Sequence, residues 1–210
     1  MRNPRIYQNS EISINKTIDL SDEAFGHVVR VLRLKDGDTI TLFNGQMHNG
    51  DYGDFQATLC NVNKKRAQAT ILSFEKKNNE SPLKLHLGQG ISRGDRMDYT
   101  LQKSVELGVT EITPLFTERC GVKLSGDRLS KKQEQWQKIV ISACEQSGRA
   151  RVPVVNQPVA LTDWLQSCSQ ALKLNLHPRA EHSIMSLPNE SDDIALLIGP
   201  EGGLSDEEIE

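Results

Sequence analysis

The rhythm of apolar and polar positions along this chain changes near residue 80. Before that point, short blocks at 39–45 (TITLFNG) and 56–62 (QATLCNV) alternate or run apolar between turn clusters such as Asp36-Gly37-Asp38 and Asn49-Gly50-Asp51. They predict strands. The stretch 21–34 (SDEAFGHVVRVLRL) predicts a helix, with Ser21 as N-cap and acids in the first turn. The charged cluster at 63–68 (NKKRAQ) predicts a hairpin turn. A polar, charged run at 74–84, closed by a proline, marks a boundary. We therefore expect a β domain over 1–73, a linker over 74–82 and a second domain over 83–210.

Past the boundary, apolar runs alternate with helical periodicity. Strands are predicted at 83–90, 111–116, 171–178 and 194–200, with a short one near 154. Met97, Leu101 and Val105 recur at helical spacing over 95–108, and Gly108 supplies the stop. A longer helix over 128–149 should bury Trp136, Ile139, Val140, Ala143 and Cys144, and a short one is expected to be capped by Thr162. Such alternation predicts a mostly parallel sheet with helices on both faces, giving an α/β domain behind a small β domain.

The last apolar run ends in Gly199-Pro200-Glu201-Gly202-Gly203. In an open parallel sheet, ligands sit where strand ends enter loops. Ser205 and Glu208 fit the S-x-x-E box of a helix start. The bland reading is a tight turn with glycines for geometry. Against it, glycines flank both sides of Pro200-Glu201, more than one turn requires. A central carboxylate also speaks against phosphate, and neither G-x-x-x-x-G-K-[ST] nor G-x-G-x-x-G occurs. A neutral or cationic ligand fits better, and a sulfonium qualifies. The segment 172–180 also closes an apolar strand, with Leu174, Asn175 and His177 at its exit. If the two strand ends are neighbours they can clamp one ligand; taken alone, His177 reads as a surface histidine.

Composition narrows this only slightly. The net charge is −3, with +2 over 1–79 and −5 over 80–210, so a mildly basic front precedes an acidic body. The four cysteines lie far apart without metal-ligand spacing, which argues for a reducing compartment and against a zinc site or a disulfide framework. No apolar run approaches a spanning length, so we expect a cytoplasmic protein with neither membrane nor metal partner.

Several blocks taken together carry a family likeness: MRNPRIY, HVVRVLRLKDGD, LGQGISRGDRMDYTLQKSVELGVTEITPLFTERCGVKL, WQKIVISACEQSGRARVP, LKLNLHPRA and LLIGPEGGLS. The chain resembles the bacterial 16S ribosomal RNA (uracil-N3)-methyltransferase family of the SPOUT superfamily. The resemblance implies a PUA-like β-barrel for RNA, then an α/β domain with a C-terminal trefoil knot. It also implies a homodimer, S-adenosylmethionine as cofactor, and N3 of a uridine in 16S rRNA of the small subunit as the acceptor. Family members continue with a further helix, strand and loop, so we expect a C-terminally incomplete methyltransferase domain.

By motif match, Leu174, Asn175, His177, Gly199, Pro200, Glu201, Gly202 and Gly203 would bind the cofactor. Arg149 and Arg119 would meet the uracil or its phosphate, with a salt-bridged surface residue as the rival reading of each. Arg2, Arg5, Arg30, Arg33 and Lys35 would contact RNA backbone, Arg30 and Arg33 from one helix face; a solvated face is again the rival. Two other readings stay open: an α/β hydrolase, for which neither G-x-S-x-G nor a phosphate loop is present, and a non-enzymatic RNA-binding module.

Overall fold

The computed structural model describes residues 3–122, 125–177, 180, 182–187 and 191–210. It divides into two compact units, Met1–Glu80 with Cys144–Val152, and Ser81–Ala143 with Pro153–Glu210.

The first unit is a five-stranded sheet built from β1 (Arg5–Tyr7), β2 (Thr17–Asp19), β3 (Thr39–Phe43), β4 (Gly53–Cys60) and β5 (Gln68–Lys76), in the order β1-β3-β4-β5-β2. Only β1 and β3 run parallel. Alternation does the sorting: Phe55, Ala57 and Leu59 of β4, and Ala69 and Ile71 of β5, all point into one core with Ile6, Ile40 and Leu42. β5 runs three residues into the expected linker. The cause is aromatic: Phe74 stacks on Phe55 with ring centroids 4.9 Å apart, and His48 packs against both.

The predicted front helix divides in two. α1 (Asp22–Phe25) starts at Ser21, whose side chain accepts from the Ala24 N–H, and then widens into a π-helical stretch, Gly26–Val31. The Leu32 N–H reaches back five residues to the His27 carbonyl. Arg33 then takes a left-handed φ of 58°. Arg30 and Arg33 therefore do not share a helix face, a correction to the 3.6-residue reading.

The second unit holds a parallel sheet of β6 (Lys84–Gly90), β7 (Glu111–Phe116), β8 (Val154–Val155), β9 (Val159–Ala160), β10 (Leu172–Asn175) and β11 (Asp193–Ile198). The order is β10-β11-β6-β7-β8, and β9 also pairs with β7. α2 (Asp95–Glu106) buries Met97, Leu101 and Val105 and stops at Gly108, φ 101°. Lys103 and Glu106 on its surface pair at 2.7 Å. α3 (Asp127–Ser147) buries Trp136, Val140, Ala143 and Cys144 as the periodicity predicts, with Ile139 half-buried; its last turn belongs to the first unit. α4 (Leu161–Ser167) buries Leu161 and Trp164, and Ala160, not Thr162, stands at its N-cap. The α4 side chains pack in one cluster with Leu115, Ala195, Leu197 and Leu204.

Candidate functional site

Because the second sheet is parallel, the exits of its strands gather at one edge. β10 pairs with β11 in the register Leu174↔Leu196 and Asn175↔Leu197, so the chain after Asn175 leaves beside Ile198-Gly199. The two strand ends singled out in the sequence are thus neighbours. Between them lies a cavity of about 360 Å³ lined by Asn175, His177, Gly199, Pro200, Gly203 and Arg119, with apolar walls from Leu176, Ile198, Leu204 and Ile209 and one carboxylate, Asp206. Leu174 lies outside it, in an adjoining apolar groove with Ile184 and Leu187.

Close packing fixes the loop. A Cβ at Gly90, the last residue of β6, would stand 2.6 Å from the Pro200 ring. The Gly203 N–H donates to the Pro200 carbonyl at 2.9 Å, and Gly203 has φ +70°, a region a side chain rarely tolerates. Gln89 Nε2 donates to the Gly199 carbonyl at 3.3 Å. Arg119, just after β7, donates from one guanidinium nitrogen to the carbonyls of Gly202 at 3.2 Å and Leu204 at 3.0 Å. A short helix, α5 (Asp206–Ile209), follows. Its Glu208 carboxylate accepts from the Glu118 N–H at 2.7 Å and from the Ser205 N–H at 3.0 Å, tying the β7 exit to the loop.

Glu201 and Gly202 face the other way, into a second cavity that they share with Arg93, Arg96, Arg119 and Gly121. Glu201 Oε1 accepts from the Arg93 N–H at 3.0 Å and lies 3.6 Å from the Arg96 guanidinium. The Arg93 N–H first, then Glu201's own N–H and the Arg96 and Arg93 charges, hold its carboxyl below the usual range. Its charge is met by the protein itself.

A model described as an RNA methyltransferase domain matches residues 79–210, and one described as an RNA methyltransferase PUA domain matches residues 20–72. The chain is 40% identical, over 210 residues, to the Ribosomal RNA small subunit methyltransferase E of Buchnera aphidicola subsp. Schizaphis graminum, covering 100% of itself and 83% of that protein. It belongs to this RNA methyltransferase family.

Two members have solved structures close to this one. The Ribosomal RNA small subunit methyltransferase E from Neisseria gonorrhoeae, bound to S-adenosyl methionine, is 42% identical with a TM-score of 0.92 over 99% of this chain and 84% of that one. A Legionella pneumophila protein in complex with the bound cofactor SAM is 47% identical with a TM-score of 0.93, over 100% and 84%. The expected fold, a PUA-like β domain before a parallel α/β domain, holds.

In this family member two arginines do other work than the sequence reading gave them. Arg149 is buried in the first unit, and its guanidinium pairs with Glu80 at 2.5 Å. Arg5 pairs with Asp54 at 2.8 Å, donates to the carbonyls of Cys144 at 2.7 Å and Arg149 at 2.9 Å, and stacks on Phe43. It does not project as an RNA contact. Arg30, Arg33 and Lys35 are exposed, whereas Arg2 lies outside the described residues. Arg93 and Arg96 escaped the sequence reading. Their only signal was a basic pair spanning the glycine turn after β6 and the first turn of α2, and it gains meaning because β6 and β11 are neighbours.

All four cysteines are free, and burial pushes Cys144 up to about 12, far from a reactive thiolate. Among the described residues no His, Cys, Asp and Glu cluster could hold a metal, and no helix is long and apolar enough to cross a membrane.

Proposed function

We propose that this chain methylates N3 of a uridine in the 16S rRNA of the small ribosomal subunit, with S-adenosylmethionine as donor. The single observation that carries the reading is the cavity between the β10 and β11 exits, walled by the glycine loop. Its volume of about 360 Å³ lies within the usual range for small-ligand sites. Its lining is apolar side chains, loop backbone, Asn175, His177, the Asp206 carboxylate and Arg119, whose guanidinium is bonded to the Gly202 and Leu204 carbonyls, a chemistry suited to a nucleoside-type ligand. Buried polar atoms without a partner among the described residues also lie at this sheet edge: Gln89 Oε1 and Thr117 Oγ1.

The donor supplies an electrophilic methyl group on sulfur. The chain's part is to hold and orient, because near-attack placement accounts for much of the rate in such transfers. Asn175, His177, Gly199, Pro200 and Gly203 form the cofactor cradle, with Leu174 behind it. Glu201 and Gly202 shape the outer side of the same loop. Arg119, on the wall between the two cavities, is the cation best placed to stabilise negative charge on a uracil losing its N3 proton.

Residues 1–73 are the proposed RNA-binding domain, with Arg30, Arg33 and Lys35 meeting phosphates, and residues 83–210 the transferase domain, working as a homodimer. The test is methyl incorporation into purified small subunits with the modified position mapped. Label on uridine N3 is expected. Label on ribose contradicts the proposed acceptor. RNA binding without incorporation returns the chain to a non-enzymatic RNA-binding module.

A further inference from the structure

The glycine loop has two faces, and its outer face is as distinctive as its inner one. On that side lies a cavity of about 510 Å³ bordered by three arginines, Arg93, Arg96 and Arg119, and by one carboxylate, Glu201. The arginines come from two strand exits, Arg93 and Arg96 after β6 and Arg119 after β7. Three guanidinium groups around one opening repel each other unless an anion sits among them. Part of that need is met from within, by the Glu201 carboxylate on the Arg93 N–H with the Arg96 guanidinium 3.6 Å away.

The neighbouring residues keep the groups in place. A Cβ at Gly121 would collide with the Arg93 guanidinium, which lies flat over that glycine. Arg119 is anchored on the Gly202 and Leu204 carbonyls. Arg96 is the most open to solvent, its side chain 74% exposed. The site is thus two seated guanidinium groups, one solvent-exposed one, and a carboxylate that can be exchanged for another anion.

We infer that this cavity binds a backbone phosphodiester of the RNA substrate, which displaces the Glu201 carboxylate from the Arg93 backbone N–H and the Arg96 guanidinium. Guanidinium groups match phosphate oxygens in charge and planar geometry. A phosphate held here is separated from the donor cavity only by the loop and Arg119, so an adjoining nucleotide is delivered to the loop's edge. Glu201 then acts as a resident counter-ion that RNA must replace, which favours a flexible polyanion over a chance surface contact. This rests on the RNA methyltransferase reading for the identity of the anion, not for the existence of the site.

The test compares the intact chain with R93Q/R96Q, R96K and E201Q. A uridine oligoribonucleotide is titrated at several salt concentrations, and S-adenosylmethionine is titrated separately by calorimetry. Loss of both contacts should weaken oligonucleotide binding and lower the log–log salt slope by roughly 0.7 for each phosphate released. R96K should keep the wild-type slope. E201Q removes the competing anion and should bind the oligonucleotide about two- to five-fold tighter, as expected for an exposed ion pair.

An unchanged slope in R93Q/R96Q, or E201Q binding no tighter, overturns the inference and leaves the methyltransferase reading standing if the intact chain still takes up the donor. A lowered slope in a chain that takes up no donor supports the anion site and overturns the methyltransferase reading. Uridine monophosphate competing as well as the oligonucleotide, phosphate for phosphate, overturns the backbone as the source.

Discussion

The arginines of the two units do opposite work. In the β unit, Arg5 and Arg149 are buried on Asp54 and Glu80, and Arg5 donates to backbone carbonyls as well; they are structural elements that happen to carry charge. At the glycine loop, Arg93, Arg96 and Arg119 are exposed, and their partners are one surface carboxylate and two loop carbonyls. A charge buried in a core must be satisfied permanently, because an unpaired one costs several kcal/mol. A charge at an open cavity can change partner at little cost. Availability, more than residue type, separates a scaffold arginine from a binding one.

That contrast can be broken most forcefully at the buried end. Asp54→Ala or Glu80→Ala strands a buried guanidinium and should destabilise the protein by about 3–5 kcal/mol, whereas Arg96→Ala should stay within about 0.5 kcal/mol. Urea unfolding midpoints at constant m distinguish the two. Equal, small shifts would dissolve the distinction.

Next in size is the loop. Gly90→Ala drives a methyl group into Pro200, and overpacking strain of about 1–3 kcal/mol should cost roughly tenfold or more in S-adenosylmethionine affinity. Calorimetry on the folded variant reads this directly.

A smaller effect is expected from the exposed arginines of the β unit. Arg30→Ala with Arg33→Ala should weaken RNA binding and lower the salt slope by roughly 0.7 per lost phosphate contact. An unaltered slope would mean that these two are only solvated.

The least effect sits with a half-buried base in the α/β unit. Trp164 donates to His86 Nε2 at 3.2 Å, and Thr113 lies 2.7 Å from the same atom, so the ring is held as an acceptor. Burial lowers its pKa, opposed by Glu111 and Asp193. Below the ordinary value of 6.5 the unfolded chain takes up a proton that the folded one refuses. Stability is therefore complete above that pH and falls as the pH drops toward the folded value. His86→Gln should flatten this part of the stability profile. A profile identical to the parent's would remove His86 from the account.

What the sequence made legible follows from local physics. Gly108 stops α2, Trp136, Val140, Ala143 and Cys144 share one face of α3, and the glycine loop caps an apolar strand, each readable within a few residues. What it hid is long-range. Arg5 finds Asp54 across 49 residues and Arg149 finds Glu80 across 69, so both read as surface cations. The π-helical stretch at Gly26–Val31 was hidden for another reason, since its five-residue hydrogen bonds leave no apolar period to count. Glu201 lies in the glycine loop that the sequence singles out, yet which cavity its carboxylate faces depends on Arg93 and Arg96, brought there by the β6–β11 pairing.

The central claim is that the inner face of the glycine loop takes a methyl donor and not a polyphosphate. Calorimetric titration of the intact chain with S-adenosylmethionine and, separately, with ATP tests it most directly. The account predicts saturable one-to-one binding of S-adenosylmethionine, weakened in Gly90→Ala, and no comparable binding of ATP. Tight ATP binding with no heat from S-adenosylmethionine would contradict it.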